Sequence, residues 1–221
     1  MSNTSDNPLQ TFWEEGWEDV LEAQDTPDED WRGAIDEART PLELQWATAP
    51  TAELAYAIGY CWFHMPGHDQ GDFDHAKEWL LRAVEMDPDH RFAAYYLGCL
   101  FFEYQLWNES ERWLKSIPVD WFESRDFAWR ERKREEMLIC INLMTNAARV
   151  SAEDIQKVMA IHHDDPSVEV WPLPSELVET VSRLRQIDLV SFRRLAPVLA
   201  QELAATGLLE LFEEEIKAFN S

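Results

Sequence analysis

At 221 residues and 46% apolar, the chain is long enough for one sizeable core, or for a small helical array with an added segment, and too apolar to remain disordered. Its net charge of −24 repels nucleic-acid phosphates and anionic lipid and disfavours direct binding to either. No apolar run approaches the roughly 20 residues of a membrane-spanning helix, the start MSNTSDNPLQ lacks the basic and apolar regions of a secretory signal, and Cys61, Cys99 and Cys140 lie far apart without a CxxC pair. A reducing, cytoplasmic setting is expected.

In chain order, an acidic front comes first. Residues 1–40 carry twelve Asp and Glu against Arg32 and Arg39 alone. Two weak amphipathic helices are predicted there, over Pro8–Ala23 and Glu29–Ala38. Trp13, Trp17, Val20 and Leu21 fall on one face of the first, and Asp28 suits the N-cap of the second. A short helix over Pro41–Ala47 leads to Thr51, a cap for the next. Helices then follow over Ala52–Met65, Phe73–Met86, Arg91–Leu106 and Glu109–Ser116, separated by Pro66-Gly67, Asp87-Pro88 and a brief turn at Trp107-Asn108. A longer helix over Glu123–Ala148 is charged in its first half and apolar in its second, so deep packing is expected only of the second. The last third reads as helices over Ala152–His162, Pro174–Gln186, Leu189–Ala204 and Gly207–Asn220, with residues 163–173 as a linker. No set of strands emerges, and the predicted class is all-α. The expected division is 1–50, an acidic helical segment; 51–149, helical hairpins with the long helix; and 150–221, a C-terminal helical segment packing on them.

The stretch Gly71–His90 has an echo 34 residues on: Phe73, Ala76, Leu80 and Ala83 are followed by Trp107, Ser110, Leu114 and Ile117. That period belongs to stacked helical hairpins, whose usual work is to hold another protein. Such hairpins need small residues where their helices cross and large apolar ones where neighbours stack. Gly59 and Gly98 occupy matching first helices, and Ala76 and Ser110 matching second helices.

At these residues the chain resembles the tetratricopeptide repeat family. Ile58-Gly59, Phe73, Ala76, Leu80, Ala83 and Pro88 match one copy, and Leu97-Gly98, Trp107, Leu114 and Ile117 a second, over about residues 52–118. Gly59 and Gly98 are 39 residues apart rather than 34, which places a five-residue insertion within His64–Asp72. Arg132 stands where a third glycine would fall, so a third regular copy is absent. The resemblance implies a short right-handed superhelical array of hairpins with flanking N- and C-terminal helices. It also implies a concave groove lined by each hairpin's first helix. Carried over by position, Tyr56, Tyr60, Phe63, Phe92, Tyr95, Cys99 and Phe102 face that groove, with Glu53 and Glu103 beside them. Relatives that grip acidic chaperone tails carry lysines and asparagines there. Aromatics and acids instead suit an apolar helix laid into the groove, and residues 174–220 are apolar enough to be that filling.

His64, His68, Asp69, Asp72, Asp74 and His75 form a candidate metal loop, but Pro66-Gly67 breaks the helix that would align His64 with His68. Helix-capping aspartates explain the same residues. The run His162-His163-Asp164-Asp165 is a second, weaker candidate, equally a polar helix end. No nucleophile elbow, zinc-protease, P-loop or dinucleotide fingerprint occurs. The expectation is therefore a non-enzymatic interaction protein, with no catalytic residues, metal or cofactor. Its partner is another protein, docked at Tyr56, Tyr60, Phe63, Phe92, Tyr95, Phe102 and Glu103 or on the acidic face. Two alternatives stand beside it: an acidic immunity or antitoxin-like protein that neutralises a basic toxin, and a metal-dependent enzyme using the His64–His75 loop. Basic residues at 112, 115, 125, 130 and 132–134 could pair with the acidic front.

Overall fold

A computed structural model describes residues 7–17, 31–66, 70–161, 173–212 and 216–217. Every regular element among them is helical, so the chain is all-α. The helices are α1 (Pro8–Glu14), α2 (Trp31–Trp46), α3 (Ala52–Phe63), α4 (Gln70–Met86), α5 (Arg91–Glu103), α6 (Trp107–Lys115), α7 (Ala128–Asn146), α8 (Ala152–Ile161), α9 (Ser175–Ile187) and α10 (Leu189–Ala205). They fall into two compact units, Met1–Tyr104 and Gln105–Ser221. The boundary runs between α5 and α6, the two helices of the second predicted hairpin.

In the first unit α3 is the central helix. Its residues from Leu54 to Cys61 are all buried, the pattern of a helix surrounded on every side. Thr51 caps it by accepting from the Leu54 amide at 3.2 Å. α2, α4 and α5 all pack on it. Gly59 makes the crossing with α4 possible: a Cβ there would lie 2.9 Å from Leu80 Cγ and 3.0 Å from the Leu80 amide nitrogen.

Two predicted boundaries in this unit are revised. α2 runs unbroken through Pro41, where a break was expected between two helices. Ile35 and Leu42 are both fully buried and lie seven residues apart on one face, so core burial requires a continuous helix. Polar side chains brace the turn that lacks an amide: Thr40 Oγ1 donates to the Asp36 carbonyl at 2.7 Å, and Arg39 bridges Asp36 and Glu43. α4 begins at Gln70 rather than Phe73, because the Asp72 carboxylate is buried and held by Arg32 at 2.6 and 3.2 Å. The residues Gln70–Asp72 of the expected insertion are thus a helical turn.

In the second unit α7 is central, with α6, α8 and α9 against it and α10 against α8 and α9. α7 starts at Ala128, five residues later than predicted. Asp126, at φ 66°, ends a short 3-10 turn and redirects the chain; Asp tolerates this left-handed region better than most residues. α10 opens with Asp188 accepting from the Ser191 amide at 3.1 Å. It closes with Gly207 at φ 75°, whose neighbour Leu208 donates back to the Leu203 carbonyl at 2.8 Å. That is the glycine-terminated helix end in which the spare carbonyls are satisfied. A 3-10 turn, Leu209–Phe212, opens the stretch where a helix over Gly207–Asn220 was expected; residues 213–215 and 218–220 of that stretch lie outside the described residues.

Candidate partner-binding face

The first unit brings the aromatic side chains of α3 and α5 onto one face. Tyr56 lies 6.1 Å from Phe92 and 6.0 Å from Tyr96, ring centre to ring centre. Tyr60 meets Tyr96 edge-on at 4.9 Å, and Phe63 meets it at 5.1 Å. Apart from Tyr56 and Phe92, whose rings are closer to parallel, these tilted and edge-on arrangements are the ones ring quadrupoles favour. Four of the seven residues expected at the groove are therefore clustered: Tyr56, Tyr60, Phe63 and Phe92. Tyr95 joins through Tyr96, at 5.2 Å.

Access divides the set. Tyr56, Tyr60 and Tyr95 are buried, with at most 3% of their surface exposed. Phe63, Phe92 and Phe102 are half-buried, and Glu103 is exposed. On α5, Phe92, Cys99, Phe102 and Glu103 reach solvent at i, i+7, i+10 and i+11 and form one stripe.

Trp13 covers part of the buried set. Its ring stacks over Tyr56 at 5.9 Å and tilts over Tyr60 at 6.3 Å. α1 reaches this place because Gln45 of α2 holds its first turn, accepting from the Leu9 amide at 3.0 Å and donating to Asn7 Oδ1 at 2.9 Å. Residues 174–220, the expected filling, belong to the other unit, and within this one a segment of the acidic front covers part of the face.

At the rim, His90 caps α5. Its Nδ1 accepts from the Ala93 amide at 3.2 Å, which leaves Nε2 carrying the proton and donating to Glu53 at 3.1 Å. Glu53, expected beside the groove, is thus engaged by the cap.

The described members of the candidate metal loop are spent separately. His64 packs on Tyr60 at 4.5 Å, His75 stacks on Trp62 at 4.5 Å, Asp72 pairs with Arg32, and Asp74 with Lys77 at 3.0 Å. The Lys77 ammonium holds the Asp74 carboxyl below its ordinary range. Among the described residues no group of three or more His, Cys, Asp or Glu could hold an ion. His68, Asp69 and the run from His162 to Asp165 lie outside the described residues. Burial pushes the Cys61 and Cys140 thiols well up, which keeps them protonated and unreactive.

A cluster that the sequence reading missed lies in the second unit, in the half of α7 expected to be solvated. Arg130, Glu131, Arg134 and Glu136 are all buried. Arg134 pairs with Glu131 and donates to the carbonyl of Leu114 in the last turn of α6 at 3.3 Å and to that of Ile117, just beyond it, at 3.4 Å. Glu136 accepts from the Leu177 amide in the first turn of α9 at 2.9 Å and from Lys133 at 3.3 Å; Lys133 also pairs with Glu176. Burial raises the Glu136 carboxyl to about 7, with Glu176 adding and Lys133 opposing. Burial alone would lower the Lys133 ammonium, but Glu136 and Glu176 more than offset it and hold it up. The signal was present: extending the apolar stripe Met137–Ile141 backwards by helical steps reaches Arg134 and Arg130. Lys133 and Arg134 thus meet partners inside their own unit, as Arg32 and Arg39 do in theirs.

No described helix is long and apolar enough to cross a membrane. No protein-family model matches the chain, and no curated protein is similar to it at a significant level.

Proposed function

We propose that the protein is a non-enzymatic, cytoplasmic interaction protein of tetratricopeptide-like build, which docks a partner segment along the aromatic face of α3 and α5. The observation that carries this reading is the sharing of one face by two successive first helices, with Phe92, Cys99 and Phe102 half-buried and Glu103 exposed in a stripe beside it. The close α3–α4 crossing at Gly59, with α5 packed against both, supports the hairpin stacking that the repeat implies. An aromatic surface flanked by an acid suits an apolar segment with a basic end.

The test uses Phe92 and Phe102, since changing the buried Tyr60 or Tyr95 would disturb the core. Affinity capture from the source cells with the wild-type chain identifies the partner. The double variant Phe92→Ala, Phe102→Ala, with helicity retained by circular dichroism, should lose it by about tenfold or more. Undiminished capture by a folded double variant rejects the aromatic face. The net charge of −24 supports a second reading, electrostatic capture of a basic protein such as a toxin. In that case capture is insensitive to the double variant and falls away at about 0.5 M salt.

A further inference from the structure

We infer that α1 is a built-in occupant of the aromatic face, and that the ligand for which it holds the place is a short amphipathic partner helix with the same aromatic spacing. The inference rests on the proposed docking face and names its ligand class. A seven-residue helix has little stability of its own. Its position therefore reflects what the seat accepts, and the seat accepts aromatic rings from one side of a helix. Phe12 is buried, Trp13 stacks on Tyr56, and Trp17, four residues on, lies 6.3 Å from Phe12 with the rings nearly parallel. Glu14 and Glu15, on the other side, are exposed.

The fit is incomplete. Trp13 Nε1 is buried and has no hydrogen-bond partner among the described residues, and an unpaired buried donor weakens whatever carries it. Among the described residues, the polar ties from α1 to α2 run through the side chain of Gln45. An occupant held by a few rings and one glutamine, and leaving a donor unmet, is displaceable by a helix that presents the same rings to the same seat. The occupied fraction of the seat then sets the apparent affinity for the partner.

The experiment titrates the full-length protein with a fluorescein-labelled peptide of residues 7–17, NPLQTFWEEGW, read by anisotropy. Trp13→Ala in the protein empties the seat, and the peptide should bind that variant at least about tenfold more tightly than the wild type. The peptide carrying alanine at the Trp13 position should bind neither. Equal affinity for both proteins, or binding to neither, overturns the inference once circular dichroism shows the variant folded. Should Trp13→Ala fail to fold, Gln45→Ala replaces it: that change cuts both polar ties and leaves the rings in place. A gain of about threefold is expected, and no gain overturns the inference. A wild-type dimer that the peptide disperses also overturns it, by assigning the seat to a second copy of this chain. Peptide failure with capture still dependent on Phe92 and Phe102 removes the role of α1 and leaves the docking face. Peptide success without that dependence removes the α5 stripe instead.

Discussion

Gly59 and Gly33 are both helical glycines in the first unit, yet their surroundings demand opposite outcomes on substitution. A Cβ at Gly59 meets the backbone nitrogen of Leu80, which cannot swing aside, whereas a Cβ at Gly33 meets nothing within 4 Å. Gly59→Ala should destabilise by about 1–3 kcal/mol through overpacking. Gly33→Ala should stabilise by up to about 1 kcal/mol through helix propensity. Urea midpoints at unchanged slope measure both. Glu136 gives the corresponding pH prediction. Its carboxyl is raised from an ordinary 4.5 to about 7, so the native state binds more protons than the unfolded state between those values. The stability that this group contributes is full below about 4.5 and is lost as pH rises through about 7. In that window the wild type should lose up to roughly 1.4 kcal/mol per pH unit that Glu136→Gln does not lose. Urea titrations at pH 5, 6 and 7 compare the two, and an identical slope in the variant refutes the assignment. Gly59 was legible in the sequence as a crossing point because the repeat singled it out. Glu136 was not, because a carboxylate on a charged helix looks solvated until a neighbouring helix is laid over it.

Between elements, the decisive device in the second unit is Arg134, which joins α7 to the C-terminal end of α6 and the backbone just after it. It supplies donors to the carbonyls of Leu114 and Ile117, and its partner Glu131 also accepts from the Asp120 amide at 3.3 Å. Arg134→Met should therefore cost about 3–5 kcal/mol, since it leaves Glu131 buried without its counter-charge. Adding Glu131→Leu should recover part of that loss, and a double-mutant cycle in urea reads the coupling. A cost within about 0.5 kcal/mol, typical of surface sites, would show that the pair is solvated. The helices themselves were largely legible, since apolar spacing and the caps at Thr51 and Asp188 are local signals. The breaks were read less well. Pro41 looked like a stop, but Ile35 and Leu42 hold one helix on either side of it in the core. Glu123 looked like a start, and the left-handed turn at Asp126 moved it to Ala128.

For the whole molecule, two compact units predict two unfolding events. Calorimetry should show Gly59→Ala lowering one transition and Arg134→Met the other; a single transition moved equally by both would show that the units unfold as one. Helical periodicity and helix caps determined by themselves that the chain is all-α, because each is a property of residues near one another in sequence. The resemblance to a repeat family, carried over by position, named the aromatic residues of α3 and α5 as a set. Tertiary structure alone decided which of those residues remain accessible. Burial depends on what is laid over a side chain, and Trp13, more than forty residues away from Tyr56, covers it by packing that no local pattern encodes. The same reason hid the buried charges of α7, whose solvation or burial is settled only by the helices on either side.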